Sequence, residues 1–275
     1  MAVEFSKIVE FRGVLDYINS LTQQQLVNLW NALTAAGVAG AFAELLLEGV
    51  AQIIRENRGL AVDAATVFYE DTQGVPVVDK HVEAAREVNM DKVRGSVQWA
   101  LSADGEAALD RLAGFAQRQV YDGARDYATA AIEASYDGGW YRMAMPDACE
   151  FCKLLATRAL YEWGPYGSAE SAIRVGVGAH THVKDKSRVG DLYHDHCRCI
   201  PIKATEFKPN EDVEEWGRMY QAARKAAQRD GVNISSTEDN SRPILKYWRE
   251  VDAGKWDVEW DEYGLVKRIK RNPDA

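Results

Sequence analysis

The sequence predicts a mainly α protein with a small α+β module in its C-terminal half. Apolar residues recur at steps of three and four through most of the chain before Gly138-Gly139, which is the helical period. After those glycines the pattern changes to short apolar runs bounded by Gly and Pro, and all four cysteines fall in two tight pairs within that second part. At 275 residues and 47% hydrophobic content the chain is long enough to bury a core as one large domain or two small ones.

Thr22 followed by Gln25 has the spacing of a capping box and predicts a helix running to about Gly37, where a residue free to take a left-handed conformation can end it. Phe42, Leu45, Leu46, Val50, Ile53 and Ile54 predict a second helix ending at Gly59 and packed on the first. After the break at Gly74-Val75-Pro76, a third helical region spans about Asp79 to Leu101, with Gly95-Ser96 as a kink point. The strongest signal follows. Leu109, Leu112, Ala116, Val120, Ala124, Tyr127 and Ala131 predict a long central helix opened by Asp104 and closed by Gly138-Gly139, its small face suited to close packing within the chain.

Beyond Gly139, Trp140 to Met145 reads as a strand, Pro146-Asp147 as a turn, and Cys149 to Leu160 as a helix. Residues 164–190 are Gly-rich and polar and predict a long loop. Residues 199–204 predict a strand that Pro201 confines to an edge, and Val213, Trp216, Tyr220 and Ala223 predict a helix from Glu211 to Arg229. The Trp-rich end carries Trp248, Trp256 and Trp260 outside any clear period, which suits packing on a neighbour. These elements divide the chain into a helical N-terminal region (1–103), a long helix with a Cys/His module (104–230) and a C-terminal extension (231–275).

A net charge of -9 argues against a protein that coats nucleic acid through its overall field. The basic run Lys267, Arg268, Lys270, Arg271 is the local exception and reads as a solvated end. No apolar run is long enough to cross a bilayer, and the N-terminus lacks the basic start and apolar core of a signal peptide, so synthesis in a cytoplasm without a membrane partner is expected.

The chemistry concentrates in Cys149-x-x-Cys152 and Cys197-x-Cys199, with His194 and His196 just before the second pair. A C-x-x-C turn aims two thiolates at one point, and a second knuckle with His and Cys can complete the tetrahedral N/S shell that zinc prefers. The strand leading into Cys149 can pair with the strand leaving Cys199 and so bring the knuckles together. Six candidate ligands compete for four places. The favoured set is Cys149, Cys152 and Cys197, with His194 or Cys199 as the fourth, holding a structural zinc. The alternatives are buried thiols without metal or two disulfides, the latter disfavoured in a reducing cytoplasm.

Asp147-Ala-Cys149-Glu-Phe-Cys152, followed after a loop by His194-Asp-His-Cys197-Arg-Cys199 and an apolar strand, resembles the signature of the MuF-type head morphogenesis proteins of tailed phages. Members of that family carry D-x-x-C-x-x-C and H-P-N-C-R-C elements in this order. The likeness covers roughly residues 120–205, and Asp195 and His196 stand where the family has Pro and Asn. The chain is also similar to proteins encoded between portal and scaffold genes in phages of actinobacteria, labelled capsid maturation proteases. The resemblance implies a minor capsid protein at a few copies per head, located in the virion. It also implies contact with the portal, the major capsid protein and the scaffold, and a part in procapsid assembly or DNA delivery in which DNA is met only indirectly.

A prohead protease is the alternative function, and the residues give it little. The chain has neither a G-x-S-x-G elbow nor an H-E-x-x-H helix. His180, His182, Ser187 and Asp191 resemble the metalloprotease elements of the JAMM type, but at a different spacing. No catalytic residue is assigned. A zinc-knuckle binder of nucleic acid fits poorly with the acidic balance and with the lack of interleaved basic and aromatic residues around the cysteines.

Overall fold

A computed structural model describes residues 2–161, 164–167, 197–234 and 241–273, excluding the side chains of 241 and 242. The protein is mainly helical, with a small strand-bearing C-terminal part and a cysteine cluster. Its described residues form two compact units: Val3–Tyr136 with Cys197 and Arg198, and the residues from Asp137 onward apart from those two.

The first unit holds α1 (Phe5–Ala35), α2 (Phe42–Gln73), α3 (Asp79–Arg86), α4 (Met90–Ala100) and α5 (Gly105–Ser135). The long helix expected from about Asp104 is α5. It packs against each of the other four, and Leu112, Ala116, Val120, Ala124, Tyr127 and Ala131 are all buried. Around it Leu26, Leu46, Val50, Ile54, Val93, Val97 and Phe115 close a continuous apolar cluster. Fully burying a side chain of this size contributes about 1.5–3 kcal/mol. The sequence reading grouped α5 with the cysteine module, whereas its packing belongs to the first unit.

Three boundaries differ from those expected. Thr22 does not open a helix: α1 starts at Phe5, and the buried Thr22 hydroxyl donates back to the Ile18 carbonyl at 2.9 Å. A Thr that bonds four residues back sits comfortably inside a helix, so the capping-box spacing was coincidental. The second helix runs through Gly59 to Gln73, because its apolar face continues with Ala61, Val62, Ala65 and Tyr69. It ends at Gly74 in the left-handed conformation (φ 59°), with the Val75 N–H reaching back to the Tyr69 carbonyl at 3.1 Å. The third region breaks at residues 87–89 rather than at Gly95. There Asn89 caps α4 by accepting from the Asp91 and Lys92 N–H groups at 3.0 and 3.1 Å.

The second unit opens with β1 (Trp140–Met143), which pairs antiparallel with β2 (Ile200–Lys203) in the register Trp140↔Lys203 to Met143↔Ile200. This is the pairing expected from the sequence, with Pro201 on a two-stranded sheet as its edge character requires. Between the strands α6 (Glu150–Ala156) passes into a 3₁₀ turn (Thr157–Leu160), a shorter α-helix than the run to Leu160 suggested. Helix α7 (Glu211–Arg229) matches its predicted bounds and is capped by Asn210, whose side chain accepts from the Val213 N–H at 3.0 Å. The extension is more ordered than its irregular aromatics implied. It forms α8 (Ser241–Asp252) and a hairpin of β3 (Trp256–Trp260) and β4 (Val266–Arg271), burying Trp248 and Trp256 and leaving Trp260 more exposed.

Candidate metal centre

Two local devices fix the chain on either side of the cysteines. Gly139 sits at φ 72°, and a Cβ there would run into the Tyr166 carbonyl. That close approach lets Trp140 and Tyr166 exchange both backbone hydrogen bonds, at 3.0 and 2.9 Å, with their rings 5.0 Å apart. The Arg158 guanidinium lies 4.6 Å from the Tyr166 ring centre and donates to the Gly164 carbonyl at 2.7 Å. Strand β1 therefore starts from a pinned point. From it the chain turns at Pro146-Asp147 and enters α6 with Cys149 in the N-cap position and Cys152 one turn inside.

Strand β2 leaves directly from Cys199, so the β1–β2 pairing anchors both cysteine pairs. The sulfurs of Cys152, Cys197 and Cys199 all lie within 4.8 Å of one another, and all three residues are buried. A tetrahedral zinc with bonds of about 2.3 Å sets its sulfurs about 3.8 Å apart, so this trio is close enough to bind a metal. Cys149 is exposed and is not part of the trio, although it belonged to the favoured ligand set; Cys199, expected only as one option for the fourth place, is. The helix supplies the reason. Cys149 stands exposed at the N-cap, whereas Cys152 lies one turn inside α6 and is buried. None of the four cysteines forms a disulfide. His194 and His196, and the loop residues His180, His182, Ser187 and Asp191, lie outside the described residues.

Within the first unit, the Cys197 backbone is held by α5. Arg125 of α5 is 1% exposed, and its guanidinium donates to the Cys197 carbonyl at 2.6 Å and to the Asp122 carboxylate at 3.2 Å. It also lies 5.0 Å from the centre of the Tyr121 ring. The Tyr121 hydroxyl donates to Asp16, whose carboxylate is 3.5 Å from the Arg198 guanidinium. Burial pushes the Asp122 carboxyl up to about 6; Asp126 one turn away adds to the rise, while Arg125 and Arg58 oppose it. Burial and the bond to Asp16 raise the Tyr121 hydroxyl as well, which keeps it a donor. Sequence reading passed over Arg125. Its signal is a lone cation between Tyr121 and Ala128 and Ile132, a line of helix positions that are otherwise apolar.

A family model described as VG15 protein matches residues 3–223. The chain belongs to that family. VG15 is a phage-associated viral gene family, and the match runs through α1 to α5, both cysteine pairs and most of α7. The VG15 match stops short of α8 and the β3–β4 hairpin. No curated protein and no solved structure matches the chain.

The remaining sequence features resolve simply. No helix among the described residues is long and apolar enough to cross a membrane. The basic run is solvated, as expected, and lies on strand β4: Lys267 pairs with Glu259 at 2.7 Å, Lys270 with Asp257 at 3.1 Å and Arg271 with Asp230 at 2.5 Å. The first two pairs are cross-strand, and all three offset charge that contact with a phosphate backbone would need.

Proposed function

We propose that this chain is a minor head protein of a phage, a head morphogenesis protein of the MuF type. It binds near the portal in the virion and acts in procapsid assembly and in packaging or ejection of DNA. The observation that carries this reading is the VG15 match, which spans 3–223 and so includes both cysteine pairs on which the MuF resemblance rests. Residues 120–205 alone resemble the MuF signature, and the match to the phage-associated family covers the helical unit as well. The test is co-expression with the portal, scaffold and major capsid proteins of the phage that encodes it. Co-purification with portal rings supports the reading. Recovery as a lone protein from every pairwise combination sinks it.

The cysteine trio in this reading is a structural metal site, with zinc as the ion that fits three buried sulfurs within 4.8 Å. Cys152 supplies a ligand from α6, and Cys197 and Cys199 supply two from the segment entering β2. Bound zinc would tie these sequence-distant segments together as a cross-link that forms only with the thiols deprotonated. The fourth place falls to one of the remaining candidates of the motif, Cys149, His194 or His196. Stability, not turnover, is the expected effect of the ion.

A further inference from the structure

Arg125 is a buried cation whose contacts go beyond what holding a helix pair requires. Burying a guanidinium is costly unless every face of it is used. Here one edge reaches Asp122, one the Cys197 carbonyl, and the plane lies near the Tyr121 ring. The carbonyl contact is the informative one, because it joins residues 72 apart in sequence and its acceptor belongs to one of the three clustered cysteines. The neighbouring residue is gripped too, through the Arg198 pair with Asp16, whose own orientation is set by the Tyr121 hydroxyl. Cys197 and Arg198 are thus held by α1 and α5, while Cys199 passes straight into β2.

We propose that Arg125 is a positioning residue for the thiolate centre: by holding the Cys197 carbonyl it sets the backbone of the Cys197-x-Cys199 knuckle so that both sulfurs stand ready beside Cys152. This rests on the metal reading of the trio. Two physical effects follow from the geometry. The knuckle is ordered before the ion arrives, so binding loses less conformational freedom. Three thiolates around a divalent cation leave an excess negative charge, and a fixed guanidinium on a ligand residue's carbonyl favours that charged state. Groups that orient metal ligands in this way typically change affinity 10–100-fold when removed.

The experiment is anaerobic titration of the full chain with cobalt(II) as a probe, followed by competition with zinc, in the parent, Arg125→Lys and Arg125→Met. The parent is expected to take one equivalent with thiolate-to-cobalt charge-transfer bands. Arg125→Met should bind at least tenfold more weakly, and Arg125→Lys, which keeps the charge and one donor, should recover part of the loss. Circular dichroism of the metal-free forms establishes that each variant is folded. If Arg125→Met does not fold, Arg125→Lys carries the test, with a loss of several-fold expected. In the parent, the guanidinium N–H resonances of Arg125 should shift when zinc is added. A parent that binds no cobalt overturns the metal centre itself. A folded variant with parental affinity, or guanidinium resonances unmoved by zinc, overturns the role of Arg125 while leaving the metal centre standing.

Discussion

Arg58 offers the sharpest test of how the helical unit is held. It lies on α2 at 5% exposure, and its guanidinium donates to the Ala85 carbonyl at 2.7 Å, the Gln119 carbonyl at 3.0 Å and the Asp126 carboxylate. Ala85 is in the last turn of α3, where carbonyls have no helical partner, so Arg58 serves as a side-chain cap for a helix of only 8 residues. Gln119 is inside α5, and its carbonyl keeps a helical partner when Arg58 is removed. Asp126 is half exposed, which limits that ion pair to about 1 kcal/mol at most. Arg58→Met keeps the apolar stem that packs on Gly123, where a Cβ would come within 2.6 Å of the Arg58 Cγ. The loss is then one orphaned buried carbonyl, about 1–3 kcal/mol, plus the discounted ion pair, or about 1–4 kcal/mol in all. Urea unfolding followed by far-ultraviolet circular dichroism measures it, and hydrogen exchange should show α3 loosening first. A change under about 0.5 kcal/mol with α3 protection intact would refute the capping argument.

Three further outcomes follow from particular residues. Protein purified without chelator should contain close to one zinc per chain, and Cys152→Ser should lose it, with the melting transition lowered by chelation in the parent only; elemental analysis and calorimetry check both. Gly139→Ala should destabilise the second unit by about 2–4 kcal/mol. The left-handed φ of 72° contributes about 1 kcal/mol and displacement of the Tyr166 carbonyl the rest, seen as lost protection at the Trp140 amide. Asp122, with its folded carboxyl at about 6 against 3.8 unperturbed, binds its proton more tightly folded than unfolded. Stability therefore falls as pH rises from about 4 to 6, on the order of 3 kcal/mol in total, and Asp122→Asn should flatten that slope in a pH series of melting temperatures.

Much of the architecture was legible because it rests on local period. The central helix, α7 and the β1–β2 pair all announce themselves by spacing and by the glycines and caps that bound them. The misplaced boundaries share a cause: Thr22 and Gly59 carry end signals that tertiary burial overrides, since each lies on a helix whose apolar face continues past it. The cysteine cluster was legible in type but not in membership. Which of Cys149 and Cys152 faces inward is set by the single N-cap residue at which α6 begins, and helix starts are the least determined feature of a sequence. Arg125 was hidden for another reason, because a cation on a long helix reads as surface until its acceptor, the Cys197 carbonyl, is brought to it from far along the chain. The ordered hairpin after Gly254 was masked by aromatics without clear alternation, and its charged strand is stabilised by ion pairs that no period reveals.

The proposed place of this phage-associated chain in the head can be tested in the particles themselves. Quantitative mass spectrometry of purified procapsids and virions of the encoding phage tests it most directly, with peptides from α5 and α7 measured against those of the portal and the major capsid protein. A minor head protein should be present in both particles at a few copies, in fixed ratio to the portal and far below the major capsid protein. Its absence from procapsids and virions alike would contradict the assignment.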